Sequence, residues 1–232
     1  MTDPLFSSVL CGAHNGPTGV AARRQAELLA SPGGAVETVP AQALIRLDPE
    51  TLADRCADHD LLVVADGPDA HRLLERAPIP ALLARWCRGG PAELTERILL
   101  AVDDREGSEA AADLAGRLAA RFGRTISLLA APRHNARLER ALNASERIVL
   151  CRTGAAPQVL GRRLPLEPAI AAECAGLGAS LLVLGVGDHG IPRSTAADLA
   201  VRVGCCVLAV PVLVPAPGAA AKVERQRELV PA

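Results

Sequence analysis

The sequence predicts an α/β protein made of two doubly wound parallel-sheet units in tandem. Three observations carry this reading. Apolar strand-like runs alternate with amphipathic helical stretches along most of the chain, the pattern of crossovers in a parallel sheet. The same order of elements occurs twice. Residues 181–213, LLVLGVGDHGIPRSTAADLAVRVGCCVLAVPVL, read as one complete strand, glycine loop, helix and strand. In that stretch residues 181–184 form a buried strand, and Gly185, Gly187 and Gly190 make a tight loop. Ser194 and Thr195 are good N-cap residues for a short helix that Gly204 stops, and residues 206–213 form the next strand. A helix start behind such a loop aims backbone N–H groups and a positive dipole end at its ligand, most naturally a phosphate.

Taken in order, residues 9–14 form a strand, Asn15 to Gly19 a turn, and residues 20–30 a helix. Residues 61–65 and 79–84 are the last two strands of the first unit, which spans 1–86. A Gly/Pro-rich linker covers 87–96. The second unit, 97–214, opens with a strand at 98–103 and a helix from Ser108. In that helix Leu114, Leu118 and Phe122, with Ala111, Ala115 and Ala119, share the core face. Glu109, Asp113, Arg117 and Arg121 take the opposite face toward water, where Asp113 and Arg117 are expected to pair at i,i+4. Residues 126–130 follow as a strand, 135–144 as a helix, 147–152 as a third strand, 154–163 as a loop, and 164–175 as a helix with Pro165 near its start. Residues 215–232, Pro/Ala-rich and then charged, read as a mobile tail.

The two units superpose with a growing offset, which points to internal duplication. Val9 falls on Ile98 at 89 positions, Leu61 on Leu181 at 120, and Ile79 on Cys205 at 126. The second unit has therefore gained about thirty residues within 131–164 and six between its last two strands. The first unit, with only Asp66, Gly67, Pro68, Asp69, Ala70 and His71 after its penultimate strand, has no comparable loop. If either unit binds a phosphate, it is the second.

Composition removes several function classes. A formal charge of −1 from 25 basic and 26 acidic side chains gives no footprint for nucleic acid or an anionic membrane. Two Phe, one Trp and no Tyr leave no stacking platform. Residues 203–221 are uncharged, but Pro211, Pro215, Pro217 and Gly218 argue against a membrane helix. No secretion signal is read at the N-terminus, so the expected location is the cytoplasm. The seven cysteines, odd in number and without C-x-x-C spacing, read as small hydrophobes. In a strand, Cys205 and Cys206 point to opposite faces. His14 and His189 have no catalytic partners in sequence context, Asp103 and Asp104 diverge too much for a metal pair, and Ser108 reads as a helix cap. No catalytic residue or metal site is assigned.

The stretches AVDDREGSEAA, PLEPAIAAECAGLGASLLVLG, CCVLAVPV and APIPALLAR resemble the universal stress protein family in tandem form. The resemblance covers both units, roughly 5–85 and 97–214. It implies Rossmann-like domains of the adenine nucleotide alpha hydrolase-like kind, and a stress-response regulator in which ATP sits beside an Asp at the end of the first strand. Asp103 matches that Asp. Gly187 and Gly190 match the first glycines of the Gly-x-x-Gly, nine residues, Gly-Ser/Thr loop, and Ser194 its Ser/Thr. Gly185, Arg193 and Thr195 complete the expected adenine nucleotide contacts. Two departures stand out: only three residues separate Gly190 from Ser194, and Arg193 stands in place of a glycine. An arginine denies the close backbone approach, although its guanidinium suits a phosphate. In the first unit His14 replaces the Asp and Pro68 removes an N–H. The resemblance thus leaves two functions open: an ATP-binding regulator with at most slow hydrolysis, or a nucleotide-free module for a protein partner yet to be identified. The apolar final strands, 81–84 and 207–212, would be hazardous as open edges and are expected to pair antiparallel as an internal pseudo-dimer. A homodimer of chains is a further possibility.

Overall fold

The computed structural model describes residues 5–86, 91–105, 107–130, 136–161, 164–187 and 190–212. The first half contains β1 (Phe6–Ala13), α1 (Pro17–Leu29), β2 (Ala30–Pro40), α2 (Ala41–Ile45), α3 (Pro49–Cys56), β3 (Leu61–Ala65), α4 (Arg72–Arg76) and β4 (Ala81–Ala84). A 3₁₀ turn at Pro91–Thr95 leads into the second half. There follow β5 (Ile98–Val102), α5 (Gly107–Phe122), β6 (Ile126–Ala130), α6 (Ala136–Thr153), β7 (Gln158–Gly161), α7 (Leu166–Leu177), β8 (Leu181–Val186), α8 (Arg193–Arg202) and β9 (Cys206–Pro211).

The nine strands form one continuous sheet in the order β2-β1-β3-β4-β9-β8-β5-β6-β7. Every neighbouring pair is parallel except β4 and β9, which run antiparallel with Leu82 opposite Leu208. The order reads alike outward from that seam: β4, β3, β1, β2 on one side and β9, β8, β5, β6 on the other, with β7 added at the far edge. Helices α1, α5 and α6 bury one face, and α2, α4, α7 and α8 cover the other. The central strands are apolar on both faces because both faces are covered. Cys206 and Cys205 do lie on opposite faces.

The structure corrects several local readings. Residues 147–152 are the end of α6, not a strand. Val149 is buried with Ser145 and Leu138 at helical spacing, whereas Leu150 is 46% exposed, so only one face of the apolar run IVL is core. The third strand is instead β7, inside the expected loop; it is short, mostly exposed and at the edge. Sequence reading assigned nothing between Ala30 and Asp60, yet β2, α2 and α3 lie there. Pro32 and Gly33 disguise β2: its register on β1 jumps from Phe6↔Ala30 to Ser8↔Ala35, and Gly33 has φ of +81° in that bulge. Ser194 and Thr195 are not N-caps; α8 starts at Arg193 behind Pro192. Ser108 lies inside α5 and bonds Asp103 instead of capping. Asp113 pairs with Arg152 of α6 (Nε at 2.7 Å), and Arg117 donates to Leu5 O. The tail at 215–232, linker residues 87–90 and His189 lie outside the described residues.

Arginines tie the two halves through helix C-termini, where carbonyls lack intrahelical donors. Arg85, just after β4, donates to Ala200 O, Val203 O and Cys205 O at the end of α8, and pairs with Asp66 at 2.9 Å. Reciprocally, Arg193 of α8 donates to Glu75 O (3.1 Å) and Ala77 O (2.6 Å) at the end of α4. Arg121 of α5 reaches Leu28 O, Leu29 O and Ala30 O at the end of α1. The polar face of α5 is therefore partly a seam.

Candidate functional site

Where strand order reverses in a doubly wound sheet, the loops leaving two neighbouring strands diverge and open a crevice at their carboxyl ends. This sheet has two such points. One lies between β1 and β3, the other between β5 and β8.

At the second point a cavity of about 540 Å³ opens beyond β5, within the range that takes small ligands. Val102, Asp103 and Arg105 form one wall, the start of α7 (Leu166, Glu167, Ile170) another, and Ile191, Pro192, Thr195 and Leu199 a third. Asp103 is fixed: Ser108 Oγ donates to its Oδ1 at 2.9 Å, and Arg105 N–H donates to the same oxygen at 3.2 Å. Its second oxygen lies 4.0 Å from Arg105 Nε. Burial outweighs these donors and raises the Asp103 carboxyl above the ordinary carboxylate range. The side chain is a constrained, poorly hydrated acceptor on the cavity wall, suited to hydroxyl or amine donors on a ligand.

The glycine loop is built differently from a phosphate cradle. Gly187 N–H donates to Ile191 O, Gly190 N–H to Gly187 O, and Ile191 N–H to Gly185 O. Those three amides are spent inside the loop. Each glycine also has a steric reason to be one. A Cβ on Gly185 would lie 2.1 Å from Gly107 O, one on Gly190 would lie 2.6 Å from Gly185 O, and Gly187 has φ of +119°. Arg193 faces α4, and Ser194 is exposed. Of the seven residues expected at the site, Asp103 and Thr195 line the cavity together, whereas Gly185, Gly187, Gly190, Arg193 and Ser194 are not among its lining residues. Arg105 escaped the sequence reading. Its guanidinium donates to Gly190 O, 85 positions away, closing the α5 approach onto the loop.

At the first crevice His14 stands in the place of Asp103. Its Nδ1 accepts from Gly16 N–H at 2.9 Å, so Nε2 carries the proton and donates to Thr18 Oγ1 at 2.9 Å. Thr18 Oγ1 then donates to Asp66 O at 3.0 Å, and the chain of bonds ties β1 to the loop after β3.

A third cluster was invisible in sequence. Ser8 Oγ lies 2.8 Å from His59 Nδ1, and His59 Nε2 lies 3.3 Å from Glu37 Oε2, beside a cavity of about 700 Å³. The groups are those of a nucleophilic relay. However, the Ser7 and Ser8 amides both donate to Asp60 Oδ2, at 2.7 and 3.1 Å, and Arg55 is paired with Glu37. The donors nearest the hydroxyl are thus committed elsewhere, and an oxyanion needs free ones. The cluster ties the starts of β1 and β3 to β2. Among the described residues no three His, Cys, Asp or Glu are grouped to hold a metal, and no helix is long and apolar enough to cross a membrane.

No family model matches the sequence, and no curated protein matches it. Solved structures do match. A universal stress protein from Archaeoglobus fulgidus superposes with a TM-score of 0.59 at 13% identity, covering 77% of this chain and 72% of its own. A functionally unknown protein from Pseudomonas aeruginosa gives 0.58 at 17%, covering 96% of this chain and 97% of its own. A provisional universal stress protein from Pseudomonas aeruginosa gives 0.55 at 16%, covering 89% and 93%. The chain has the universal stress protein fold, with the Rossmann-like α/β architecture expected from its sequence.

Proposed function

We propose that this chain is a tandem universal stress protein acting as a cytoplasmic regulator, and that its second unit binds an adenine nucleoside or nucleoside monophosphate. The observation carrying this reading is Asp103, held by Ser108 and Arg105 in the wall of the 540 Å³ cavity, at a switch point of the sheet. Apolar walls of Leu138, Leu166 and Ile170 suit a base, Asp103 suits a ribose hydroxyl, and Arg105 with the first turn of α8 at Thr195 suits one anionic group. ATP fits less well. Among the described residues of the loop, the Gly187, Gly190 and Ile191 amides are internally bonded and not offered to further phosphates, and Asp103, Asp104 and Glu167 outnumber Arg105 around the cavity. The self-bonded loop also favours the second reading, a nucleotide-free module for a protein partner.

Titrating adenosine, AMP and ATP into the wild-type chain and Asp103→Asn by calorimetry separates the readings. The proposal expects adenosine or AMP to bind at least as tightly as ATP, with about a tenfold loss (~1.4 kcal/mol) in Asp103→Asn. Absence of heat with all three at millimolar concentration overturns it.

A further inference from the structure

Cysteine spacing in the sequence suggested no pairing, but the fold brings two distant thiols together. Cys174 lies in the last turn of α7 and Cys205 immediately precedes β9. The backbone fixes this approach. Gly178 ends α7 in the left-handed conformation (φ of 59°), and Ala179 N–H turns back to Cys174 O at 2.9 Å. The next residue, Ser180, accepts from Cys206 N–H at 3.1 Å, so helix end and strand start share one hydrogen-bonded corner. Both side chains belong to the same core cluster, on the same face of the sheet. Both also line a cavity of about 570 Å³ together with Arg85, Arg97 and Arg202. Cys206 is on the other face, where its Sγ accepts from Gln25 Nε2 at 3.6 Å.

The pair is polarised. The Cys174 thiol beside it, aided by the nearby Arg85 charge, holds the Cys205 thiol below the ordinary thiol range against the effect of burial. Cys174 is pushed up by the neighbouring Cys205 and by burial. One member is thus disposed to react as thiolate and the other to remain a protonated thiol beside it.

We propose that Cys174 and Cys205 form an oxidisable dithiol, which a hydroperoxide closes to an intramolecular disulfide joining α7 to the start of β9. The Cys205 thiolate attacks one peroxide oxygen and the O–O bond breaks. The leaving hydroxide takes the proton that Cys205 had lost and departs as water. The Cys174 thiol then attacks the resulting sulfenic sulfur; the S–S bond forms, the S–O bond breaks, and the oxygen leaves as a second water with the Cys174 proton. The two thiols give up two electrons to the peroxide.

The test uses the full chain, reduced, exposed to a small excess of hydrogen peroxide, quenched with an alkylating agent and mapped by mass spectrometry. Expected are an intact-mass loss of about 2 Da before alkylation and one cross-linked peptide pair. Fragment-ion sequencing should assign the link to Cys174 and Cys205, distinguishing Cys205 from its neighbour Cys206. Free thiols in denaturant should fall from seven to five, and dithiothreitol should restore them. In Cys174→Ser, oxidation should stop at a dimedone-reactive sulfenic acid on Cys205, about 16 Da heavier. A link through Cys206, stepwise oxidation without any link, or resistance of both thiols overturns the proposal. Should Cys174→Ser fail to fold, the wild-type map alone decides.

Discussion

The two switch points of this sheet share a backbone plan and differ in what fills them. Between β1 and β3, His14 accepts from Gly16 N–H and donates to Thr18, which bonds Asp66 O, so the polar groups at this point are committed to one another. Between β5 and β8, Asp103 lines a cavity of about 540 Å³ and is held there by Ser108 and Arg105. In the second, a buried carboxylate is kept at an energetic disadvantage. The contrast teaches that a parallel sheet supplies the switch point for topological reasons, while the residue at the strand end together with the helices that wall the opening decides what it can hold.

The largest effect should come from the seam that holds the two points in one sheet. Arg85→Met strands carbonyls at the end of α8 and leaves Asp66 without its 2.9 Å partner; chemical denaturation should show a loss of about 4 kcal/mol. Arg193→Met, which removes donors to two carbonyls of α4, should cost about 1 kcal/mol. Equal losses would mean that the seam is not organised around Arg85.

Next is the position where the halves carry different small residues, Ala65 in β3 and Gly185 in β8. A Cβ on Gly185 would meet Gly107 O at 2.1 Å, and backbone cannot rotate aside as a side chain does. Gly185→Ala, the residue found in the first half, should destabilise by about 2 kcal/mol and weaken ligand binding through displacement of Gly107 and Ser108. An unchanged unfolding midpoint would show that α5 is free to shift.

Asp103→Asn sharpens the contrast by separating stability from binding. The folded-state pKa of Asp103 is raised, so its charged form is disfavoured by folding. The stabilising contribution is complete below the unfolded value of about 3.9 and is lost as pH rises through the raised folded value. The Asn variant should therefore match wild type in acid and be slightly more stable at neutral pH, in thermal melts across that window, while losing ligand affinity. Lower stability at neutral pH would contradict the burial argument.

The smallest effect should follow His14→Asp. Loss of the Gly16 and Thr18 bonds should cost about 1 kcal/mol. Nucleotide binding should not appear in the first half, because the twelve-residue α7 and ten-residue α8, which wall the second cavity, have only the short α2, α3 and α4 (five, eight and five residues) at the matching places.

Much of this was legible along the chain. The continuous apolar runs at Leu61–Ala65 and Ile126–Ala130 match their strands residue for residue, since strands buried on both faces need no alternation. The pairing of β4 with β9 followed from two apolar edges needing cover. Asp103 entered the candidate site through the family resemblance of AVDDREGSEAA, not through a local pattern. Illegible were β2, whose Pro and Gly read as loop, and the end of α6, where three adjacent apolar residues imitate a strand. Arg105, the turning of Arg193 toward α4, and the Cys174 and Cys205 corner depend on contacts 85, at least 116 and 31 positions apart. No local pattern encodes such distances; the β5/β8 adjacency and the antiparallel seam create them.

The most direct measurement is hydrogen–deuterium exchange by mass spectrometry with and without saturating AMP. The account predicts slowed exchange in segments 102–108 and 191–199, which carry Asp103, Arg105, Ser108 and Thr195, and unchanged exchange in 13–19 and 65–71 around His14. Protection at the His14 crevice, or none in either place, would contradict it.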